Sequence, residues 1–464
     1  MSMTVLESIV AQRRIDIAQL RSERSLQLVQ DNIMGETVSE PRFYQAIETQ
    51  KKAHKPAYIL ECKRASPSKG LIRSDFNLST IISAYEPYAT AISVLTENRH
   101  FGGSYEDLKQ ARQLTTRPLL CKDFIVDVYQ LYLAKEAGAD AVLLMLSVLR
   151  DDEYRYFAET AHTLGLGILT EVNNEAEVAR ALKLQARIIG INNRNLHDLS
   201  IDLSKTERLR ALMPQDQCVI SESGIHQYAD IQRLRRTADG FLIGSHLMAS
   251  DHLPQALQQL LQGGYKVCGL TSAEDAKLAY EAGATYGGLI FILSSPRGVT
   301  YHQAKVIRES APLKWVGVFQ NDDIDTIAFI AQEVGLSAVQ LHGEEPQSYI
   351  SKLRQLLPHH IQIIKALPVR ENTLPLMDYQ DVDYYLLDGV KGGSGEPFNW
   401  QLLANRDLSN CFIAGGISCD NISEVLQYPA FGLDINSKVE KSPGKKDPVK
   451  LQAIFQTLRA MANV

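Results

Sequence analysis

The chain is 464 residues long, 45% hydrophobic and 22% charged, with a formal net charge of −6. That length exceeds one ordinary domain and suits two, and the composition is that of a globular protein rather than a disordered one. The acidic balance and the lack of a basic block exclude a generic nucleic-acid binder, so an anionic ligand would have to be held by local Lys and Arg.

Residues 1 to about 50 read as helix, interrupted near Gly35. The first twenty, MSMTVLESIVAQRRIDIAQL, carry Glu7 early and charges throughout, which predicts an amphipathic helix and not a signal peptide. The longest apolar runs, such as 141–146, are far too short to cross a membrane. The six cysteines, Cys62, Cys121, Cys218, Cys268, Cys411 and Cys419, form no CxxC or Cys/His cluster. No metal site is expected from that spacing, and thiols dispersed in apolar runs point to a reducing, cytoplasmic setting.

From residue 58 a rhythm begins, with short apolar runs at 58–63, 91–96, 118–123, 141–147, 167–172, 188–192, 218–222 and 240–244. They are apolar along their whole length, as strands covered on both faces are, and the intervals can each hold a helix. Eight such units over about 200 residues predict a (β/α)8 barrel. The stretch 58–70, YILECKRASPSKG, sets Glu61 and Lys63 two apart, hence on one face of a strand, with Cys62 on the other. Taken alone it reads equally well as a solvated ion pair and a polar turn. Yet Lys63, Lys122, Glu171, Asn192 and Glu222 all fall at the ends of apolar runs, and strand C-termini converge on one mouth in this architecture. Ser66 to Gly70, Ser223-Gly224 and Gly244-Ser245 supply hydroxyls and glycines suited to an anion such as phosphate.

A Gly-Gly connection follows 257, and the predicted domains are 1–257 and 258–464. The second set of runs is 266–269, 288–292, 315–319, 338–342, 361–366, 384–388, 411–415 and 431–435, again eight, so a second barrel is expected. The predicted class is therefore α/β: two tandem (β/α)8 TIM barrels with an N-terminal helical extension. The second mouth differs in chemistry, with Cys268, His342 and Asp388 at strand ends, Arg297 in the second loop, and phosphate-type features at Gly393 and Gly395, Gly415-Gly416 and Asn436-Ser437. A free buried Cys is more often an inert core residue than a base.

Two sets of motifs carry a resemblance. LECKRASPSKG (60–70), LLCKDF (119–124), LTEV (169–172), INNRNL (191–196), SESGI (221–225) and FLIGSHLM (241–248) resemble indole-3-glycerol-phosphate synthase. KVCGLT (266–271), SSPRGVT (294–300), VQLHGEE (339–345), LLDG (386–389), GGSGEPFNW (392–400), IAGGIS (413–418) and GLDINSKVE (432–440) resemble phosphoribosylanthranilate isomerase. The order is that of the fused tryptophan-biosynthesis enzyme of some bacteria. The resemblance implies an Amadori isomerisation in the second barrel and ring closure with loss of carbon dioxide and water in the first. It implies no cofactor, and small phosphorylated substrates as the only partners; a monomer is expected.

Chemistry assigns the residues accordingly. The isomerase needs an acid to open the furanose and a base for the carbon-two proton: Asp388 if burial raises its pKa, and Cys268 if its thiolate is locally favoured. Arg297 would hold the anthranilate carboxylate and His342 would border the site. In the synthase, Lys122 is the expected general acid, Glu171 and Glu61 the bases, and Lys63 tunes them or acts in dehydration. Asn192, Arg194 and Glu222 would orient substrate, and Ser66, Ser223, Gly224, Gly244 and Ser245 would hold phosphate. Cys62 and Cys121 should face away from the interior. In the isomerase half the family's adjacent serines are replaced by Asn436-Ser437-Lys438; Asn436 can still donate, while Lys438 adds charge or points to solvent. The competing reading is a Schiff-base aldolase using Lys63 or Lys122, beside a non-catalytic second barrel.

Overall fold

The computed structural model describes residues 4–33, 40–195, 198–370, 373–389, 396–428 and 430–462. Gly35, where a helix break is predicted, and the predicted phosphate-site glycines Gly393 and Gly395 lie outside the described residues. The chain divides into two compact units: Met1–His226 with Asp230–Leu257, and Gln258–Val464 with Gln227–Ala229.

The first unit opens with three helices, α1 (Val5–Glu23), α2 (Leu26–Ile33) and α3 (Arg42–Lys52). Thr4 starts α1: its hydroxyl accepts the Glu7 N–H at 3.2 Å, and its own N–H donates to the Glu7 carboxylate at 2.8 Å. This reciprocal pairing satisfies donors that a helix start otherwise leaves unpaired. The helical run also breaks at a place the sequence reading did not mark, where Arg24 turns extended and the Ser25 hydroxyl accepts the Leu28 N–H to begin α2.

Eight strands follow: β1 (Ala57–Cys62), β2 (Ala91–Leu95), β3 (Leu119–Lys122), β4 (Ala141–Met145), β5 (Gly167–Val172), β6 (Ile188–Asn192), β7 (Cys218–Glu222) and β8 (Gly240–Ile243). Each pairs in parallel with its neighbours in chain order, and Ala57↔Gly240 closes the barrel. Strand alternation decides what faces the axis. Ile59, Leu120, Leu169 and Ile220 belong to one buried interior cluster, and two residues onward on the same faces stand Glu61, Lys122, Glu171 and Glu222. Phe43, Tyr44 and Ile47 of α3 join that cluster, and Phe43 meets Gly167 at the start of β5, so α3 closes the N-terminal end of the barrel. Each such fully buried side chain contributes about 1.5–3 kcal/mol. The apolar floor thereby offsets the cost of a charged mouth.

The second unit is also a closed barrel: β9 (Gly264–Val267), β10 (Tyr286–Ile290), β11 (Lys314–Phe319), β12 (Ala338–Leu341), β13 (Gln362–Val369), β14 (Tyr384–Gly389), β15 (Cys411–Ile413) and β16 (Gly432–Ile435). Its first strand starts two residues before the predicted one, because the helix Leu253–Gln262 runs almost directly into it. Closure occurs at Gly264↔Gly432, where a Cβ on Gly432 would stand 1.8 Å from the Gly264 carbonyl oxygen; only glycine permits that approach. The interior is filled by Val316, Ile364, Leu386 and three aromatic rings, with Phe412 edge-on to Tyr286 and to Phe431 at 5.5 and 5.0 Å.

Candidate functional site

At the C-terminal end of the first barrel the predicted side chains meet around a cavity of about 330 Å³. Glu61 and Lys63, sent to one side by alternation along β1, form an ion pair at 2.5 Å. Lys122, from the end of β3, places its ammonium 3.5 Å from Glu171 and 3.4 Å from Glu222. Asn192 donates to Glu171 at 3.1 Å, and its side-chain oxygen accepts the Arg194 N–H at 3.0 Å. Ser66, Arg194, Ser223, Gly224, Gly244 and Ser245 line the same space, with Ser223 and Gly224 both in the left-handed region. Cys62 and Cys121 are buried and line no part of the cavity.

The electrostatics follow from this packing. Burial works against the Lys122 charge, but Glu222, Glu171 and Glu61 outweigh it and hold its pKa above the usual lysine range. Burial pushes the Glu222 carboxyl up to about 8, against Lys122 and with help from Glu171 and Glu61. A carboxyl raised in this way keeps a proton in the fold that the unfolded chain has released. Its contribution to stability is fully present below the unfolded value of about 4.3 and is lost as pH rises through about 8. Glu222→Gln is therefore expected to gain stability relative to the parent as pH rises from about 5 to about 9. Calorimetry at both pH values checks it; an equal effect at the two would mean that Glu222 ionises normally.

Gly190, on β6, explains how Glu222 fits. A Cβ there would lie 2.0 Å from Glu222 Oε1. Gly190→Ala is expected to displace that carboxylate from Lys122 and slow ring closure by about a hundredfold, as an ångström of misplacement can. The isomerase rate of the same protein, expected to be unchanged, is the control.

Sequence reasoning missed the apolar wall of this site. Val5, Leu6 and Ile9 of α1 line the cavity with Phe101, Phe124 and Met145. Arg13 of α1 pairs with Asp123, next to Lys122, and both are buried. That α1 is a helix was legible; which surface it would cover was not. Ser68, Lys69, His226 and His246 also line the site.

The second barrel carries a cavity of about 460 Å³ lined by Cys268, Arg297, His342, Asp388, Gly415, Gly416, Asn436, Ser437 and Lys438. Cys268 directly follows β9 and its N–H donates to Ile435 at 2.9 Å. Its thiolate is not favoured overall: burial pushes the thiol up, and Lys266 only partly opposes this. Arg297 is not a lone cation awaiting a carboxylate, since Glu440 already takes its Nε at 3.0 Å and Nη2 at 2.7 Å. His342 meets Gln340 at 3.0 Å, and burial, then Lys266, lowers its pKa. Asp388 is half-buried and accepts the Gly389 N–H at 2.8 Å. Asn436 accepts from Lys446 at 3.0 Å through its side-chain oxygen, which leaves the amide nitrogen as its donor. Lys438 is exposed at the cavity edge. The buried charges Lys266, Glu440 and Lys446 escaped sequence reasoning, although KVCG sets Lys266 on the face of Cys268.

Among the described residues, no group of three or more His, Cys, Asp or Glu could hold a metal ion, and no helix is long and apolar enough to cross a membrane. Comparison with known proteins matches residues 6–260 to the family model for indole-3-glycerol phosphate synthase. Residues 265–457 match that for N-(5'phosphoribosyl)anthranilate (PRA) isomerase. A tryptophan biosynthesis protein TrpCF of Salmonella typhi is 49% identical over 457 residues, covering 98% of this chain and 99% of the relative. That of Yersinia pestis is 48% identical over 98% of this chain and 94% of the relative. That of Vibrio cholerae is 50% identical over 91% of this chain and 90% of the relative.

Proposed function

We infer residue roles from one premise: the chain belongs to the indole-3-glycerol phosphate synthase family through its first half and to the phosphoribosylanthranilate isomerase family through its second. It is a bifunctional enzyme of tryptophan biosynthesis acting on small phosphorylated substrates. The second barrel isomerises N-(5-phosphoribosyl)anthranilate to 1-(2-carboxyphenylamino)-1-deoxyribulose 5-phosphate. The first closes that product to indole-3-glycerol phosphate with loss of carbon dioxide and water.

The observation that carries the synthase assignment is the Lys122 ammonium held between Glu171 and Glu222. An ammonium kept protonated by carboxylates is an acid and a poor imine-former, which favours this reading over a Schiff-base aldolase. Lys122 protonates the ketone oxygen while the ring carbon bearing the carboxylate attacks the carbonyl carbon. Carbon dioxide then leaves, its bonding pair restoring the aromatic ring, and the new hydroxyl departs as water. Glu171 is the base for that departure, taking a proton from the neighbouring carbon beside nitrogen so that the C–H pair forms the new ring double bond: its contact with Lys122 is 3.5 Å, looser than the 2.5 Å contact that ties Glu61 to Lys63. Lys63 supplies the proton to the leaving hydroxyl, and Glu61 sets its position. Asn192, Arg194 and Glu222 orient the substrate, while Ser66, Ser223, Gly224, Gly244 and Ser245 hold its phosphate.

In the second barrel Asp388 protonates the furanose oxygen and opens the ring to an iminium. Cys268 takes the proton from carbon two; the C–H pair becomes the carbon one–carbon two double bond, and nitrogen recovers the iminium pair. The enolamine then tautomerises to the ketone. Arg297, held by Glu440, meets the anthranilate carboxylate and His342 borders it. Gly415, Gly416, Asn436 and Ser437 hold phosphate. We place the domain boundary between 257 and 258, and read the protein as a cytoplasmic monomer that needs no cofactor.

Phosphoribosylanthranilate supplied to the purified chain tests both sites at once. Anthranilate-type fluorescence should fall and indole absorbance should rise. A signal that stops at the open-chain ketose would remove the first-barrel roles, and no change would return Cys268 and Asp388 to the core.

A further inference from the structure

Cys268 stands in a charged setting that a lone general base does not require. Lys266, two residues earlier on β9, is 0% exposed and donates to Asp434 Oδ2 on β16 at 2.9 Å. By strand alternation the Lys266 side chain leaves the chain on the same side as that of Cys268, and charge on the sulfur favours the ammonium. It is fully buried and does not line the cavity beside Cys268. A buried ammonium is costly unless paired, and one carboxylate would suffice to pair it; its place two residues before Cys268, on the same side of the chain, calls for a further reason. The charged groups that act on the sulfur are Lys266 two residues earlier, Asp434 on β16, Lys446 from the antiparallel pair Glu440–Ser442 and Lys445–Lys446, and Arg297 from the loop after β10. His342, after β12, faces the Lys266–Asp434 pair. Lys446 is tied to Glu440 at 2.9 Å and Asn436 at 3.0 Å, Arg297 to Glu440 and Lys266 to Asp434; of the three cations only Lys266 stands two residues from Cys268 on the same side of the chain.

We propose that Lys266 is a positioning residue of the isomerase: steered by Asp434, its ammonium stands on the side of the Cys268 sulfur and balances the negative charge that the thiolate carries until it takes the carbon-two proton. Of the groups opposing the effect of burial on the thiol, Lys266 is the largest, and Asp434 acts in the opposite sense. The proposal rests on Cys268 being the base.

Lys266→Met and Asp434→Asn, made in the full chain, test it. Isomerase rates are measured against pH. Alkylation of Cys268 by iodoacetamide is measured in a Cys419→Ser background, because Cys419 is exposed. Lys266→Met should lower isomerase kcat by about tenfold to a hundredfold with KM within about twofold, and raise the alkylation midpoint by about one pH unit or more. Asp434→Asn should move that midpoint down, since the ammonium then answers to the sulfur alone. Opposite shifts from two substitutions in one pair cannot arise from loosened packing. An unmoved midpoint in Lys266→Met, or shifts of the same sign in both variants, would overturn the proposal. Ring closure, assayed on its own substrate, reports that the first unit is intact. An active Cys268→Ser would remove the base and this proposal together; an inactive Cys268→Ser beside unshifted variants would remove the proposal alone.

Discussion

Lys122→Ala should slow ring closure by about a thousandfold or more while isomerisation continues at the parent rate. The expectation has two parts. General acid catalysis contributes about a hundredfold to ten-thousandfold where the donor is well placed. Removing the ammonium also leaves Glu171 and Glu222, which it holds at 3.5 and 3.4 Å, facing each other and Glu61 without a cation between them. Glu222, already raised by burial, then keeps its proton to still higher pH. Lys122→Arg separates the two parts, because arginine restores the charge but does not give up a proton in this range. It should recover substrate binding and little of kcat. Each activity is read by supplying its own substrate, the carboxyphenylamino-deoxyribulose phosphate or phosphoribosylanthranilate. Equal loss of both activities in Lys122→Ala would count against two independent sites.

Asp388→Ala should have the converse effect, with isomerisation lowered by about a hundredfold to ten-thousandfold and ring closure unchanged. Asp388 is the last residue but one of β14, in parallel register with Pro368, and it lines the same cavity as Cys268. The furanose oxygen is a poor leaving group until protonated, so loss of the carboxyl should fall on ring opening. Asp388→Asn keeps the size and the hydrogen-bonding shape but has no acidic proton, and should be nearly as slow. Because Asp388 is only half-buried, neither variant should lose much stability. An open-chain substrate analogue that bypasses ring opening should restore turnover in both variants. An isomerase that survives Asp388→Ala on the cyclic substrate would remove the acid.

Particular residues mark how far the chain could be read in advance. Both barrels were legible from the spacing of apolar runs, because strands buried on two faces must be apolar throughout. Glu61, Lys63, Lys122, Glu171, Asn192 and Glu222 were legible as converging on one cavity because polar residues near the ends of such runs have one place to go. The capping box at Thr4 and Glu7 was local and could have been read. The covering of the first cavity by Val5, Leu6 and Ile9 was not, since an amphipathic helix declares that it has a buried face and not which surface buries it. The pairing of Arg297 with Glu440 links positions 143 residues apart, and no local pattern announces it.

Sequence alone thus determined the elements, their order and the chemical types gathered at each mouth, because strand alternation and helix capping act over a few residues. Ionisation was decided only by tertiary structure. Whether Lys122 is held protonated, Glu222 raised, or Cys268 opposed by burial and answered by Lys266 depends on what surrounds each group at a few ångströms. Coulombic and desolvation energies at that range are set by neighbours from other strands, which become neighbours only when the barrel closes.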